Sequence, residues 1–196
     1  MSLVAHSNSH PMARGVNRII AIASLLVIVV LISPAQAVDY SSSWELVESG
    51  TEEDLMTAEA YGEYGIWAFG TNGAMVRSDD NGSTWELIDS PVSSDLQYSD
   101  SAHGALAVAS ADGLVLIKQE IGEDWSNISL EDDDVQFNGI ALTSNHSMVA
   151  VGSGGSIWKY DGGAWMRVSS GVDSDLLAVS FLDDKLGVVV GVSGTI

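Results

Sequence analysis

Ser78-Asp79-Asp80-Asn81-Gly82-Ser83-Thr84-Trp85 has the spacing S-x-D-x-G-x-T-W. Each fixed position suits a tight turn between two strands. The Asp80 carboxylate can accept hydrogen bonds from backbone N–H groups a residue or two further on. Gly82 permits a backbone with φ > 0. Thr84 begins a strand, and Trp85 brings a large apolar surface to lay on a sheet.

Outward from this unit, tryptophans fall at Trp44, Trp85, Trp125 and Trp165, spaced 41, 40 and 40 apart. Each opens a similar short strand: Trp-Glu-Leu-Val, Trp-Glu-Leu-Ile, Trp-Ser-Asn-Ile and Trp-Met-Arg-Val. A fixed period near 40 residues marks a repeat architecture. The interior of each period repeats too. An acidic residue precedes an apolar strand at Asp54-Leu55, Asp95-Leu96, Asp134-Val135 and Asp175-Leu176. A second apolar strand follows, then a tight turn spaced G-x-x-G at Gly70/Gly73, Gly152/Gly155 and Gly191/Gly194. Repeat two has Ser110 for the first glycine and keeps Gly113. A third strand leads back to the Trp strand. No helical periodicity appears outside the amino-terminal leader. Four short strands every 40 or so residues predict the blades of a β-propeller, an all-β fold.

The unit at Ser78, Asp80, Gly82, Thr84 and Trp85 resembles the Asp-box, or BNR repeat, of sialidase-type propellers. The wider pattern resembles the photosystem II stability/assembly factor-like propellers. It runs Asp175-Leu-Leu-Ala-Val-Ser-Phe181, then a G-x-x-V-G-x-x-G-x-I stretch ending at Ile196. The resemblance covers about residues 39–196. It implies that the box is a structural turn between third and fourth strands, not a catalytic element. The other copies are degenerate. Lys118 stands for the serine in repeat two, Asp161-Gly-Gly-Ala-Trp165 is one residue short, and Ser41 replaces glycine before Trp44.

The repeat count gives about three full blades and a partial fourth, an incomplete ring. An open arc leaves an apolar face at each end. If each exposes on the order of 400 Å², the forgone burial is roughly 10 kcal/mol per face. The chain is therefore expected to be a fragment of a longer protein. A four-bladed ring closed by the Trp44 strand, or an oligomer sharing blades, is the alternative.

The first 37 residues read as a signal peptide. Arg14 and Arg18 precede an apolar run of fourteen residues, 19–32, and Ala35-Gln36-Ala37 is an A-x-A cleavage site. That predicts a signal helix ahead of a propeller domain over 38–196, and a secreted or extracytoplasmic location. Retention as a membrane anchor is the alternative, although a span needs about 20 apolar residues. Outside the leader five basic residues face 27 acidic ones, and the net charge is −20. A nucleic-acid binder needs the opposite sign. With no cysteine, disulfides and thiolate metal sites are excluded.

No catalytic, metal or cofactor constellation emerges. A sialidase-like arginine triad cannot be built from Arg77 and Arg167 alone. The acidic pairs Glu52/Glu53, Asp132/Asp133 and Asp183/Asp184 lack acid/base spacing. His103 and His146 fall in turns. Residues 131–134, Glu-Asp-Asp-Asp, do not match a calcium loop. Trp67, Phe69, Phe137, Trp158 and Phe181 read as core between blades. Asn81, Asn127 and Asn145 head N-glycosylation sequons. Asp54, Asp95, Asp134 and Asp175 recur at the entry to each innermost strand. They are either local turn residues or an acidic face for a basic partner or a cation. The expected function is a non-catalytic scaffold for protein binding or assembly. The alternative is an extracellular glycosidase or carbohydrate-binding propeller.

Overall fold

The computed structural model describes residues 2–5, 44–62, 65–119, 124–132, 134–144 and 146–196. The predicted leader helix and cleavage site lie outside them. Among the described residues no helix is long and apolar enough to cross a membrane.

Three antiparallel four-stranded sheets follow one another along the chain. Sheet one holds β3 (Leu55–Ala60), β4 (Ile66–Gly70), β5 (Met75–Ser78) and β6 (Glu86–Leu87). Sheet two holds β7 (Tyr98–Ala102), β8 (Ala105–Ala109), β9 (Val115–Lys118) and β10 (Ser126–Asn127). Sheet three holds β11 (Phe137–Ser144), β12 (Ser147–Gly152), β13 (Ile157–Tyr160) and β14 (Trp165–Val168). A fourth, partial sheet pairs β15 (Leu176–Phe181) with β16 (Gly187–Gly191). In each, spatial order follows chain order. First strands stand side by side: β7 touches β3 and β11, and β11 touches β15. This is an arc of propeller blades, three full and one partial. Two shorter strands, β1 (Ser2–Ala5) and β2 (Trp44–Val47), pair with each other, Ala5 opposite Trp44. Among the described residues β2 therefore does not close the partial sheet.

The second strands explain why the sheets stack. Along β4 the large side chains Trp67 and Phe69 point forward, with Met75 of β5, and cluster with Leu96, Leu106, Val108 and Leu116 of the next repeat. Ala105, Ala107 and Ala109 point forward from β8 and meet Leu142, Met148 and Ala150. Val149 and Val151 of β12 meet Leu176, Val179, Phe181 and Val189. Both faces of β4, β8 and β12 are covered, so their sequences are continuously apolar. Two of the fourth-strand tryptophans, Trp125 and Trp165, lock neighbours together. Trp125 stands edge-on to Trp67 and Phe69, with centroids 5.6 and 5.9 Å away. Trp165 tilts against Phe137 and Tyr160 and donates its indole N–H to Ile128 O.

Two first strands, β3 and β7, depart from the expected apolar runs, whereas β15 reads Leu-Leu-Ala-Val-Ser-Phe as expected. Asp95-Leu96 does not lead into an apolar strand: β7 reads Tyr-Ser-Asp-Ser-Ala and is half-buried throughout. β3 alternates half-buried and exposed positions. Polar bonds between first strands supply the contact instead. Thr57 and Ser99 hydroxyls lie 2.6 Å apart, and Ser99 and Ser101 donate to the Glu59 carboxylate. Asp100 accepts the Leu142 N–H at 2.6 Å, and the Asn138 amide donates to Leu176 O at 2.9 Å.

Candidate functional site

Strands alternating in direction place two sets of loops on opposite rims. One rim carries the entries to the first strands and the G-x-x-G turns. The other carries the hairpins after the first strands and the turn over residues 78–85.

In that turn Asp80 is the hub. Its Oδ1 accepts the Thr84 N–H at 2.8 Å, and its Oδ2 accepts the Thr84 hydroxyl at 2.7 Å. The Ser78 hydroxyl donates to Asp80 at 2.9 Å and accepts the Gly82 N–H at 2.7 Å. Gly82 has φ 86 and Asn81 φ 59, as the tight reversal requires. Trp85 donates its indole N–H back to Gly82 O. The Thr84 N–H, then its hydroxyl, hold the Asp80 carboxyl down at about 2. Asp161 does the same work in the shortened copy. It accepts the Gly163 and Ala164 N–H groups and its carboxyl is likewise lowered, chiefly by Ala164.

The four entry aspartates are not equivalent. Asp95 accepts the N–H of Asn72 at 3.0 Å, and Asp175 accepts that of Gly154 at 2.8 Å. Both donors sit in the preceding G-x-x-G turn with left-handed backbones, φ 53 and 61. Each carboxylate thus ties one blade to the one before it. Among the described residues Asp134 has no such bond; Asp112, at the matching turn position, lacks the left-handed backbone of Asn72 and Gly154, and its carboxylate is held by the Ser110 hydroxyl. The Asp54 carboxylate has no partner among the described residues. Glu53, beside it, accepts the Thr71 hydroxyl at 2.7 Å and the Asn72 amide at 2.8 Å, bonds that lower its carboxyl. This Glu53–Thr71–Asn72 cluster was missed in the sequence, where only the glycines of the turn stood out.

The first glycine of that turn is required by space. A Cβ at Gly70 would lie 2.0 Å from Asp54 O, and one at Gly152 1.8 Å from Gln136 O. A cavity of about 530 Å³ on this rim is walled by Asp112, Glu131, Asp132 and Gln136. On the opposite rim a cavity of about 220 Å³ lies between Asp100, His103, Leu142 and Asp183. Asp183 is committed to its own turn: the Lys185 and Leu186 N–H groups bind it and lower its carboxyl.

The remaining candidates fall apart from one another. Arg77 lies over Trp67 and pairs with Asp79 at 2.6 Å, while Arg167 lies over Trp158 two sheets away. His103, with φ 55, and His146 occupy exposed hairpin turns. No group of three or more His, Asp or Glu side chains among the described residues is arranged to hold a metal. Asn81 and Asn127 are exposed, and Asn127 accepts the Ser129 N–H and hydroxyl. Asn145 and Asp133 lie outside the described residues. Trp67, Phe69 and Phe137 are buried core, and Phe181 is half-buried against sheet three.

No protein-family model matches the sequence, and no curated protein matches it. Solved structures do. One described as YCF48 bound to D1 peptide superposes with a TM-score of 0.59 at 18% identity, over 68% of this chain and 45% of that one. YCF48 from Cyanidioschyzon merolae gives 0.59 at 17% identity, over 71% of this chain and 51% of that one. The chain thus spans about half the length of the propellers it matches. At this identity the likeness establishes the fold.

Proposed function

We propose that this chain belongs to an extracytoplasmic, non-catalytic propeller scaffold that binds a protein partner, with turns of the Asp-box type setting its blade geometry. One observation carries this reading. Five aspartates of the two rims, Asp80, Asp95, Asp161, Asp175 and Asp183, are spent on their own backbone and on neighbouring blades rather than converging on a reacting centre. Loop-rich rims on a rigid scaffold suit docking. A solved propeller of similar shape is described as bound to a peptide, which supports the same use of the fold here. The surplus of acids favours a basic partner surface, steered by long-range charge, and opposes nucleic acid. The amino-terminal apolar segment supports export, and membrane contact through that segment if it is retained.

The test sets a glycan array and a fluorogenic glycoside panel beside basic and acidic peptides, all on the full chain. Salt-sensitive binding of basic peptides with no glycoside turnover supports the scaffold. Turnover or selective glycan binding would move the assignment to the carbohydrate-active alternative.

A further inference from the structure

The cavity of about 220 Å³ on the hairpin rim is built by three consecutive sheets. Its wall takes Asp100 and His103 from the end of β7 and its hairpin, Leu142 from β11, and Val179, Phe181 and Asp183 from the end of β15 and its hairpin. β7, β11 and β15 stand side by side, and first strands line the inner side of the arc. Part of the wall is apolar. Leu142 is buried, and Val179 and Phe181 are half-buried against β12.

The two carboxylates are held in place but not used up. Asp100 Oδ2 accepts the Leu142 N–H at 2.6 Å. Asp183 Oδ1 accepts the Lys185 and Leu186 N–H groups at 2.9 and 2.8 Å. Among the described residues Asp100 Oδ1 and Asp183 Oδ2 have no donor, and neither carboxylate pairs with a lysine or arginine side chain. Main-chain bonds thus fix each group and leave one of its oxygens unspent. His103 is exposed at the same cavity.

This combination is selective. Two like charges oppose an anion. No three His, Asp or Glu side chains among the described residues are arranged for a metal ion. A ligand with an apolar stem and a cationic head matches both parts of the wall, the stem over Leu142, Val179 and Phe181 and the head at the carboxylates. An arginine fork pairs with both oxygens of one carboxylate. Here each carboxylate has one oxygen left, which suits the separate donors of an ammonium. We infer that this cavity receives a lysine side chain of the protein partner. The inference rests on the reading of the chain as a scaffold for a basic partner, and it seats that partner on the hairpin rim, not at the entry aspartates.

The full chain is titrated with a fluorescent lysine-rich peptide, its arginine counterpart and its lysine-acetylated form. The lysine peptide should bind tightest, and acetylation, which keeps the stem and removes the charge, should abolish binding. Asp100→Asn with Asp183→Asn removes both charges while the amide oxygens can still accept the same N–H groups. It should weaken binding of the lysine peptide about tenfold. Glu52→Gln with Glu131→Gln removes two charges from the opposite rim and should change binding little. A measurement on the unaltered chain stands apart from any variant. The imidazole NMR signals of His103 should shift on adding the lysine peptide, while those of His146, outside the cavity, should not. Spermidine, a cation without a peptide backbone, should compete only weakly, and binding as tight as the peptide's would contradict a protein occupant. If the lysine peptide binds but His103 does not respond, or the opposite-rim variant loses as much affinity as the cavity variant, the site is wrong and the scaffold reading stands. Equal binding of the arginine peptide overturns the choice of lysine. If neither basic peptide binds the unaltered chain, the scaffold reading falls and this inference with it.

Discussion

The Asp80 carboxylate takes both the backbone N–H and the hydroxyl of Thr84, at 2.8 and 2.7 Å, and so clamps the start of a fourth strand to the end of a third. Asp80→Ala removes the clamp and leaves the Ser78 hydroxyl and Gly82 N–H paired with each other. Thermal melting should show a lower Tm, with binding by the folded protein unchanged. The pH dependence has a definite sign. The folded carboxyl is depressed from 3.8 to about 2, so its stabilisation is full above the ordinary value and is lost as pH falls from there through about 2. Acid melts of the wild type and Asp80→Ala should converge in that window.

Gly152 backs onto Gln136 O so closely that a Cβ would sit 1.8 Å from it. Backbone on both sides cannot move aside. Gly152→Ala should cost about 3 kcal/mol by chemical denaturation, at the upper end of overpacking effects. Gly163→Ala is the control. Its Cβ would meet only Asp161 Oδ1 at 3.7 Å, and its stability should change little.

Trp125 lies edge-on to two aromatic rings of the preceding sheet. Trp125→Ala opens the junction between sheets one and two and should cost about 3 kcal/mol. Trp125→Phe keeps an edge-to-face partner and should recover much of it. Equal losses from both variants would show that the ring contact does not hold the junction.

Glu59 carries a half-buried carboxylate between β3 and β7. Burial raises its pKa above the ordinary 4.5, and Asp100 adds to this, while the Ser101 and Ser99 hydroxyls oppose it. A raised folded value favours the protonated form. The stabilisation from protonation is full below 4.5 and is lost as pH rises through the folded value. The difference in stability between wild type and Glu59→Gln should therefore shift in favour of wild type as pH is lowered from neutrality toward 4.5. A difference independent of pH would place this carboxyl in solvent.

The tryptophan period made the blade plan legible because Trp85, Trp125 and Trp165 stand at the start of fourth strands, and Trp125 and Trp165 reach the preceding sheet, so their spacing is the blade length. The second strands were equally plain, since burial on both faces leaves a continuous apolar run. The first strands β3 and β7 were not. Ser99, Asp100 and Ser101 look like loop, yet they bond to Glu59 and Leu142 across neighbouring blades. Such bonds join positions about 40 residues apart and leave no local pattern. The recurrence of Asp54, Asp95, Asp134 and Asp175 was visible, but their separate fates were not. Asp95 and Asp175 find an N–H where the turn of the preceding blade is left-handed, at Asn72 and Gly154, and Asp112 lacks that backbone.

The scaffold reading is tested most directly by titrating the full chain with a fluorescent lysine-rich peptide across a series of salt concentrations, beside its glutamate counterpart and the Asp80→Ala variant. The expected result is saturable binding of the basic peptide alone, weakening steeply with salt and unchanged in folded Asp80→Ala. Salt-independent binding, equal binding of the acidic peptide, or loss of binding in an Asp80→Ala protein of unchanged Tm would contradict it.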